Sequence, residues 1–168
     1  MDSKVTVKPA EDEHLYEIHK LAHAIWREYY PGIISSAQIE YMLREGYSLE
    51  ALRRDITQRE MRYDRALVEG TLVGFSSHGP HTDPEALMLH KLYVDSGFRR
   101  MGCARKLIEA ASERARTNAR SCVLLRVNKR NRAAIDAYAR LGFSIRGSIV
   151  ADIGGGFVMD DYWMRLEI

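Results

Sequence analysis

The sequence predicts a single domain of the α/β class over residues 1–168, in which strands and helices share one core. Hydrophobic residues make up 46% of the chain, enough for one sizeable core in a chain too short to promise two. Their spacing changes from helical to strand-like near the middle of the chain. A strand, a glycine-containing loop, an amphipathic helix and a further strand then follow in order, the alternation expected of this class.

The first third of the chain predicts a short strand followed by helices. Residues 4–8 alternate two valines with polar neighbours, which is typical of a strand. A helix follows and stops at Pro31, because proline and the glycine after it do not continue a helix. A second helical region, which allows a break at Gly46, ends near Arg59. The apolar face of the first helix carries Leu15, Ile18, Ala22, Ile25, Trp26 and Tyr29.

The rest of the chain predicts a sheet with two more helices. Gly70 marks a turn between strands over 66–68 and 72–76, which indicates an antiparallel hairpin. The strand over 86–94 is apolar on both faces and is therefore expected at the centre of the sheet. The elements predicted after it are a helix over 104–115, a strand over 122–127, a helix over 131–140, and two strands over 143–150 and 158–167 around the glycines at 154–156.

Charge and composition narrow the classes of function. The formal net charge is only +2, from 25 Lys and Arg against 23 Asp and Glu, so the chain lacks the dense positive field of a nucleic-acid-binding protein. Cys103 and Cys122 lack the spacings of a disulfide framework or a zinc site, which favours a reducing compartment and no metal. No segment has the apolar length of a signal peptide or a membrane span. We expect a cytoplasmic protein without nucleic-acid or membrane partners.

The loop over 99–104 joins the predicted central strand to the amphipathic helix and has the features of a phosphate site. A helix N-terminus offers unpaired N–H groups and the positive end of a dipole. Gly102 removes a side chain that would hold a ligand away from the backbone, and Arg99, Arg100 and Arg105 add positive charge. The alternative is an ordinary strand-to-helix turn with solvated arginines.

Two motifs in order resemble the signatures of one family. Leu92-Tyr93-Val94, followed by Arg99-x-x-Gly102-x-Ala104 at the start of a helix, resembles the acetyl-CoA signature of the GNAT superfamily of N-acetyltransferases. The run over 131–143, an asparagine, a helix with Tyr138, then Leu-Gly-Phe, resembles the second signature of that superfamily. The resemblance covers the chain from Ala86 onward.

The resemblance implies a strongly twisted mixed sheet of about seven strands, with helices on both faces, that splays open around acetyl-CoA. It implies that the backbone of Leu92 and Val94 pairs with the pantetheine arm, and that N–H groups over 100–105 surround the pyrophosphate. The implied cofactor-binding residues are Leu92, Tyr93, Val94, Arg99, Arg100, Met101, Gly102, Cys103, Ala104, Arg105 and Asn131.

His90 is the predicted catalytic base of the acetyl transfer that the resemblance implies. It precedes Leu92 by two residues, so regular alternation places both side chains on one face of the strand. An unperturbed imidazole titrates near neutral pH, which suits proton abstraction from an amine. The strand around it is similar to that of arylalkylamine N-acetyltransferases, whereas the glutamate of many other members is replaced here by Met88. The alternative is a histidine that only fills a sheet position.

Tyr138 is the predicted acid, because the resemblance implies that a tyrosine on this helix protonates the leaving sulfur of coenzyme A. The alternative is a core aromatic residue. Asn131 is expected to cap the helix, and the N–H of Leu92 to meet the oxyanion. Cys103 is interpreted as a small filler rather than an acetyl-accepting nucleophile, although a helix N-terminus lowers the pKa of a thiol. The basic run over 129–132 favours a solvated surface over RNA contact.

The acceptor is predicted to be an amine, held by aromatic rings and carboxylates. The resemblance implies that it meets the first helical region and the last hairpin, where the main candidates are Trp26, Tyr30, Asp160 and Asp161, with Tyr29, Tyr162 and Trp163 nearby. The alternative for the helix aromatics is a core position. Three functions stay open: acetylation of a small molecule, acetylation of a protein N-terminus or lysine, and a coenzyme A-binding sensor without turnover. A homodimer is permitted and not required.

Overall fold

The computed structural model describes residues 4–168, so residues 1–3 of the predicted domain lie outside the described part. Two short 3₁₀ turns, Asp12–His14 and Ser96–Phe98, accompany the regular elements. The strands are β1 Val5–Pro9, β2 Arg62–Val68, β3 Thr71–Pro80, β4 Ala86–Val94, β5 Cys122–Asn128, β6 Ser144–Gly154 and β7 Phe157–Glu167. The helices are α1 Leu15–Tyr29, α2 Ser36–Tyr47, α3 Leu49–Gln58, α4 Cys103–Thr117 and α5 Arg132–Arg140.

The seven strands form one mixed sheet in the order β1-β2-β3-β4-β5-β7-β6. Strands β4 and β5 run parallel, joined through α4, and every other neighbouring pair is antiparallel. This confirms the α/β class and the seven-stranded mixed sheet. It also confirms the central position of β4, whose apolar residues on both faces predicted it.

The pairing between β4 and β5 covers only half of β4. Ala86 to Leu89 pair with Cys122 to Leu125, and the ladder then stops while β4 continues to Val94. At the same point the register of β4 against β3 slips: Leu89 lies opposite His78 and Lys91 opposite Ser77, which leaves His90 as a bulge residue. The sheet therefore opens between β4 and β5, starting at His90.

Helices cover the two faces of the sheet unequally. On one face, Leu89 and Leu92 pack into a single apolar cluster with Ile108 of α4. On the other face, Tyr93 packs against the cluster that α1, α2 and α3 build with β2 and β3. Leu89 and Leu92 are three residues apart, and a regular strand would place them on opposite faces. The bulge at His90 breaks the alternation, so the prediction that His90 shares a face with Leu92 loses its premise.

The ammonium of Lys91 fixes the helices to the sheet beside this bulge. Its Nζ donates to the Gly46 carbonyl at 2.6 Å, to Oδ2 of Asp55 at 2.8 Å and to the Tyr63 hydroxyl at 2.8 Å. Three acceptors match the three N–H donors of an ammonium. Burial lowers the pKa of Lys91, and the Asp55 carboxylate opposes that shift. One side chain thus connects α2, α3, β2 and β4.

Several element boundaries differ from the sequence prediction. Strand β2 begins at Arg62 rather than at residue 66, and β6 runs to Gly154 rather than to residue 150. The second helical region breaks at Ser48 rather than at Gly46, because the Ser48 hydroxyl accepts the N–H of Ala51 and caps α3. Strand β3 runs to Pro80, beyond the predicted end at Ser76, because buried polar residues obscure its apolar pattern. Within the described residues, no helix has the length and apolar character needed to cross a bilayer.

Gly74 sets the spacing between β3 and β4. A Cβ at this position would lie 2.8 Å from the backbone oxygen of Tyr93, and backbone cannot easily move aside. We expect Gly74→Ala to lower the free energy of unfolding by about 1–3 kcal/mol, as overpacking does. Gly46→Ala is the control: it meets open space inside α2 and should raise stability by up to about 1 kcal/mol. Urea titration followed by circular dichroism measures both, and equal effects would contradict the prediction.

Candidate active site

The loop before α4 presents bare backbone to solvent. Arg100 and Gly102 both have positive φ, +65° and +84°, the left-handed backbone conformation that occurs in anion-binding nests. Gly102 occupies the N-cap position of α4, and within residues 4–168 no side chain caps this helix. A Cβ at Gly102 would meet nothing within 4 Å. The first turn of α4 therefore faces open space.

Three arginines surround this open turn. Arg99, Arg100 and Arg105 are exposed, and none forms an ion pair with a carboxylate in residues 4–168. The Arg99 guanidinium lies 5.1 Å from the ring centroid of Tyr29 on α1, which holds it beside the opening. The loop residues and charges fit a diphosphate. Met101 is exposed in the same loop and Ala104 half-buried behind it.

Cys103 follows Gly102 but points inward. Its side chain is buried beneath α4, with Sγ 3.8 Å from the Phe98 carbonyl oxygen. Burial raises the pKa of the Cys103 thiol, which outweighs the helix N-terminus that would lower it. Its inward position and raised pKa agree with a filler role.

The edge of β4 beyond the bulge is available for pairing with a ligand. Leu92 and Val94 pair with Ser76 and Gly74 of β3 on one side. On the other side, the β5 ladder has ended at Leu89. An extended, amide-bearing arm would add here as a strand adds to a sheet edge. The structure thus places the free edge of β4 and the arginine-flanked loop in direct succession along the chain.

Tyr138 reaches the opening from α5. Its ring lies 5.8 Å from that of Phe143, and it is close enough to Tyr30 and Tyr93 to act on their pKa values. Burial raises the pKa of Tyr138, so the hydroxyl keeps its proton at neutral pH. Asn131 caps α5 as predicted: its Oδ1 accepts the Ala134 N–H at 3.3 Å.

The same oxygen of Asn131 also accepts the Tyr29 hydroxyl at 2.5 Å. This bond ties α1 to α5 across the opening of the sheet. The last residue of α1 and the N-cap of α5 therefore lie together on one side of the opening. The cap uses the Asn131 carbonyl oxygen, which restricts what that oxygen can offer a ligand.

His90 lies at the point where the sheet opens. Its side chain keeps an exposed surface, yet desolvation by the surrounding protein lowers its pKa from 6.5 to about 4, against the opposing effect of Asp55. The expectation of titration near neutral pH is therefore wrong for this site. The imidazole is neutral at pH 7, which leaves one ring nitrogen able to accept a proton.

Comparison with known proteins identifies the family of this constellation. A family model described as "Acetyltransferase (GNAT) family" matches residues 15–143, well over half of the chain. The chain belongs to the GNAT acetyltransferase family. It is an acetyl-CoA-dependent N-acetyltransferase, which confirms the resemblance of the two motifs and the predicted cofactor.

Two similar proteins match over nearly the whole chain, and a third matches over about a third of it. A spermidine N(1)-acetyltransferase of Thermoplasma acidophilum is 24% identical over 160 residues, 93% of this chain and 96% of that protein. An uncharacterized N-acetyltransferase of Methanocaldococcus jannaschii is 41% identical over 59 residues, 35% of this chain and only 26% of that protein. The structure of PaiA N-acetyltransferase from T. acidophilum with coenzyme A superimposes with a TM-score of 0.82 at 22% identity, covering 98% and 99% of the two chains.

The aromatic acceptor candidates of this GNAT domain lie mostly in the core. Trp26 is 2% exposed and stacks on Tyr30 with ring centroids 4.1 Å apart. The Tyr30 hydroxyl lies 3.4 Å from that of Tyr93, which also accepts the Tyr47 hydroxyl at 3.1 Å. Trp26 thus matches the core alternative, and it does not lie on an open surface.

The acidic acceptor candidates are both paired with cations. Asp160 is exposed and bonds Lys129 Nζ at 2.7 Å. Asp161 is buried, bonds Arg126 at 3.0 Å, and its pKa is raised by burial. Both carboxylates are thus engaged by cations through one oxygen, and Oδ1 of Asp161 has no partner among the described residues. Sequence reasoning missed Arg126, a lone charge inside the apolar strand β5, which was the available signal for this pair.

Gly102 gives the sharpest test of the cofactor site. We expect Gly102→Ala to weaken coenzyme A binding about tenfold or more, because a Cβ would enter the space beside the N–H groups that are predicted to bind the diphosphate. Gly70→Ala is a matched control, since Gly70 has φ +80° and equally open surroundings in the β2–β3 turn.

Both variants should lose about 1–2 kcal/mol of stability from backbone strain. Only Gly102→Ala should lose affinity in isothermal titration calorimetry with coenzyme A. Equal affinity in the two variants would place the diphosphate elsewhere.

Proposed function

We propose that this chain transfers the acetyl group of acetyl-CoA to the primary amine of a small molecule. The observation that carries the proposal is the interruption of the β4–β5 ladder at His90, with Tyr138 at the same opening. The candidate base lies at the break in the ladder, and the candidate acid lies on α5, near Tyr93 of the same strand. The similarity to a spermidine N(1)-acetyltransferase supports a small-molecule acceptor.

Acetyl-CoA supplies an activated acetyl thioester when bound. The backbone of Leu92 and Val94 would hold its arm at the free edge of β4, and the N–H groups over 100–105 would hold its diphosphate with help from the three arginines. The Leu92 N–H would donate to the carbonyl oxygen as negative charge develops there.

The contacts between α2 and the β6–β7 hairpin favour a small acceptor over a protein chain. The Tyr41 hydroxyl donates to the Ile153 carbonyl at 2.6 Å, and Gln38 donates to the Val158 carbonyl at 3.1 Å. Tyr41 also packs against Phe157, with ring centroids 5.1 Å apart. These contacts close the space between α2, in the second helical region, and the last hairpin, through which an extended peptide would have to pass.

His90 acts as the base in this proposal. A neutral amine becomes acidic as its nitrogen forms a bond to carbon, so even a weak base can take the proton at that stage. The lowered pKa of His90 keeps the imidazole neutral and ready at working pH. The acceptor amine must bind in its neutral form. The dependence of the rate on pH is therefore set mainly by the pKa of the amine.

We expect His90→Ala to lower kcat/KM by about 10²–10⁴, the range of general base catalysis. In the wild type, the rate should rise with the neutral fraction of the amine and show no inflection near pH 6.5, because the pKa of His90 is about 4. Thiol release from acetyl-CoA between pH 5.5 and 9 measures both. His14→Ala is the control, and an inflection near 6.5 that disappears in His90→Ala would contradict the lowered pKa.

Tyr138→Phe should lower kcat by about 10² while leaving affinity for coenzyme A unchanged, because only the proton for the departing sulfur is lost. Since burial raises the pKa of Tyr138, the wild-type rate should not fall on the alkaline side below pH 10. Tyr16→Phe, at an exposed position of α1, is the matched control. A wild-type rate in Tyr138→Phe would remove the acid role and leave the fold assignment untouched.

A further inference from the structure

A cleft lies on the sheet face opposite α4 and α5. It has a volume of ≈ 520 Å³ and is lined by His81, Leu124, Arg146, Trp163, Arg165 and Glu167, which we call the Trp163 cleft. All six come from strands or from the loop before β4, and no helix contributes. Alternation along β7 explains its wall, because Trp163 and Arg165 face away from the buried Met164.

The Trp163 cleft adjoins the opening of the sheet. Leu124 pairs with Met88, two residues before His90, and Trp163 pairs with Arg126, just beyond the end of the β4–β5 ladder. His81 is near enough to His90 to contribute to lowering its pKa. A molecule whose amine reaches His90 would therefore extend its other end into this cleft.

The charge left over in the cleft is positive. The carboxylate of Glu167 accepts two hydrogen bonds from Arg165, at 2.6 and 3.3 Å, and lies 3.8 Å from Arg146. The buried carboxylate of Asp161 is held by Arg126. Arg146, with the longest of these ion pairs and a side chain 58% exposed, is the cation most available to a ligand. A polycation finds no uncommitted carboxylate among the residues that line the cleft.

The His81 ring supplies a further hydrogen-bond donor for an anionic ligand in the cleft. His81 Nδ1 accepts the Asp83 N–H, so the neutral ring carries its proton on Nε2 as a donor. The Nε–H of Arg126 is buried and has no partner among the described residues, and the same holds for Oδ1 of Asp161, its ion-pair partner. This ion pair lies beside Trp163 and does not line the cleft.

The shape of the cleft suits a ligand in which a flat group lies next to a negatively charged group. Gly147 lies opposite Trp163, and a Cβ at Gly147 would meet nothing within 4 Å, so the neighbouring position over the indole is open. Arg146 is the extra residue where the β6 register slips between Ile145 and Gly147, and a bulge of this kind redirects a side chain. Arg126 and His81 flank the indole at 5.6 Å each.

We propose that the acceptor is an amine that also carries a carboxylate, which Arg146 binds in the Trp163 cleft while the rest of the molecule lies against the indole. This inference rests on the proposed small-molecule acetyl transfer and specifies its substrate class. The carboxylate distinguishes this substrate class from spermidine, the polycation for which the similar acetyltransferase of T. acidophilum is named.

The test uses acceptors of matched shape: 4-(aminomethyl)benzoate, benzylamine, which lacks the carboxylate, and spermidine. We expect kcat/KM for the benzoate to exceed that for benzylamine about tenfold or more, as a charge-assisted hydrogen bond provides. Arg146→Ala should abolish this preference and leave benzylamine unchanged. Arg62→Ala, an exposed arginine of β2 outside the cleft, should leave both unchanged.

Two further measurements distinguish failure of this inference from failure of the proposed acetyl transfer. Trp163 fluorescence should change when 4-(aminomethyl)benzoate is added without acetyl-CoA, and should not change in Trp163→Phe, where the buried Trp26 remains as the only tryptophan. Gly147→Leu should raise KM for the benzoate more than it changes kcat. A preference for spermidine, or equal rates for 4-(aminomethyl)benzoate and benzylamine, would overturn this inference and leave the proposed function standing. Coenzyme A binding without acetylation of any amine would overturn the proposed function and this inference together.

Discussion

The three oxygens around the Lys91 ammonium are the contact on which the site depends. A buried charge is tolerated only when its donors are matched, and here the partners come from α2, α3 and β2. Because Lys91 follows the bulge residue directly, this contact fixes the last part of β4 to the helices on one face of the sheet. The strand beyond it keeps its pairing with β3 and loses its pairing with β5.

In the proposed reaction, this opening receives two different ligands from opposite directions. The loop over 99–102 offers backbone N–H groups and arginines to a diphosphate, whereas the Trp163 cleft offers a flat indole and Arg146. His90 and Tyr138 lie between them, and both are uncharged at neutral pH because burial disfavours their charged forms. The bond between Tyr29 and Asn131 holds the two helices that border this gap.

The sequence predicted the helices and strands better than it predicted the contacts between side chains. The limits of β4 were predicted as they stand in the structure, because its apolar run and flanking turn residues are local signals. The bulge at His90 was not predictable, since it is accompanied by contacts of Lys91 with residues about 30 or more positions away. The same reason applies to Asp161, whose partner Arg126 lies on another strand, and to Trp26, whose helical spacing fits a core position equally well. Motifs that bind through the backbone, such as the run ending at Gly102, can be recognised from sequence because glycine itself carries the signal.

The hydroxyls of Tyr30, Tyr93 and Tyr47 lie in one chain inside the core that α1, α2 and α3 form with the sheet. A hydroxyl that loses its neighbour in such surroundings costs more than the absence of both, so phenylalanine at one of these positions penalises the others. Substitutions among the three are consequently interdependent, and each alters the effect of the next. As related sequences diverge, these three tyrosines are expected to be replaced together. Residues of the apolar cluster that packs against α4 can be replaced one at a time.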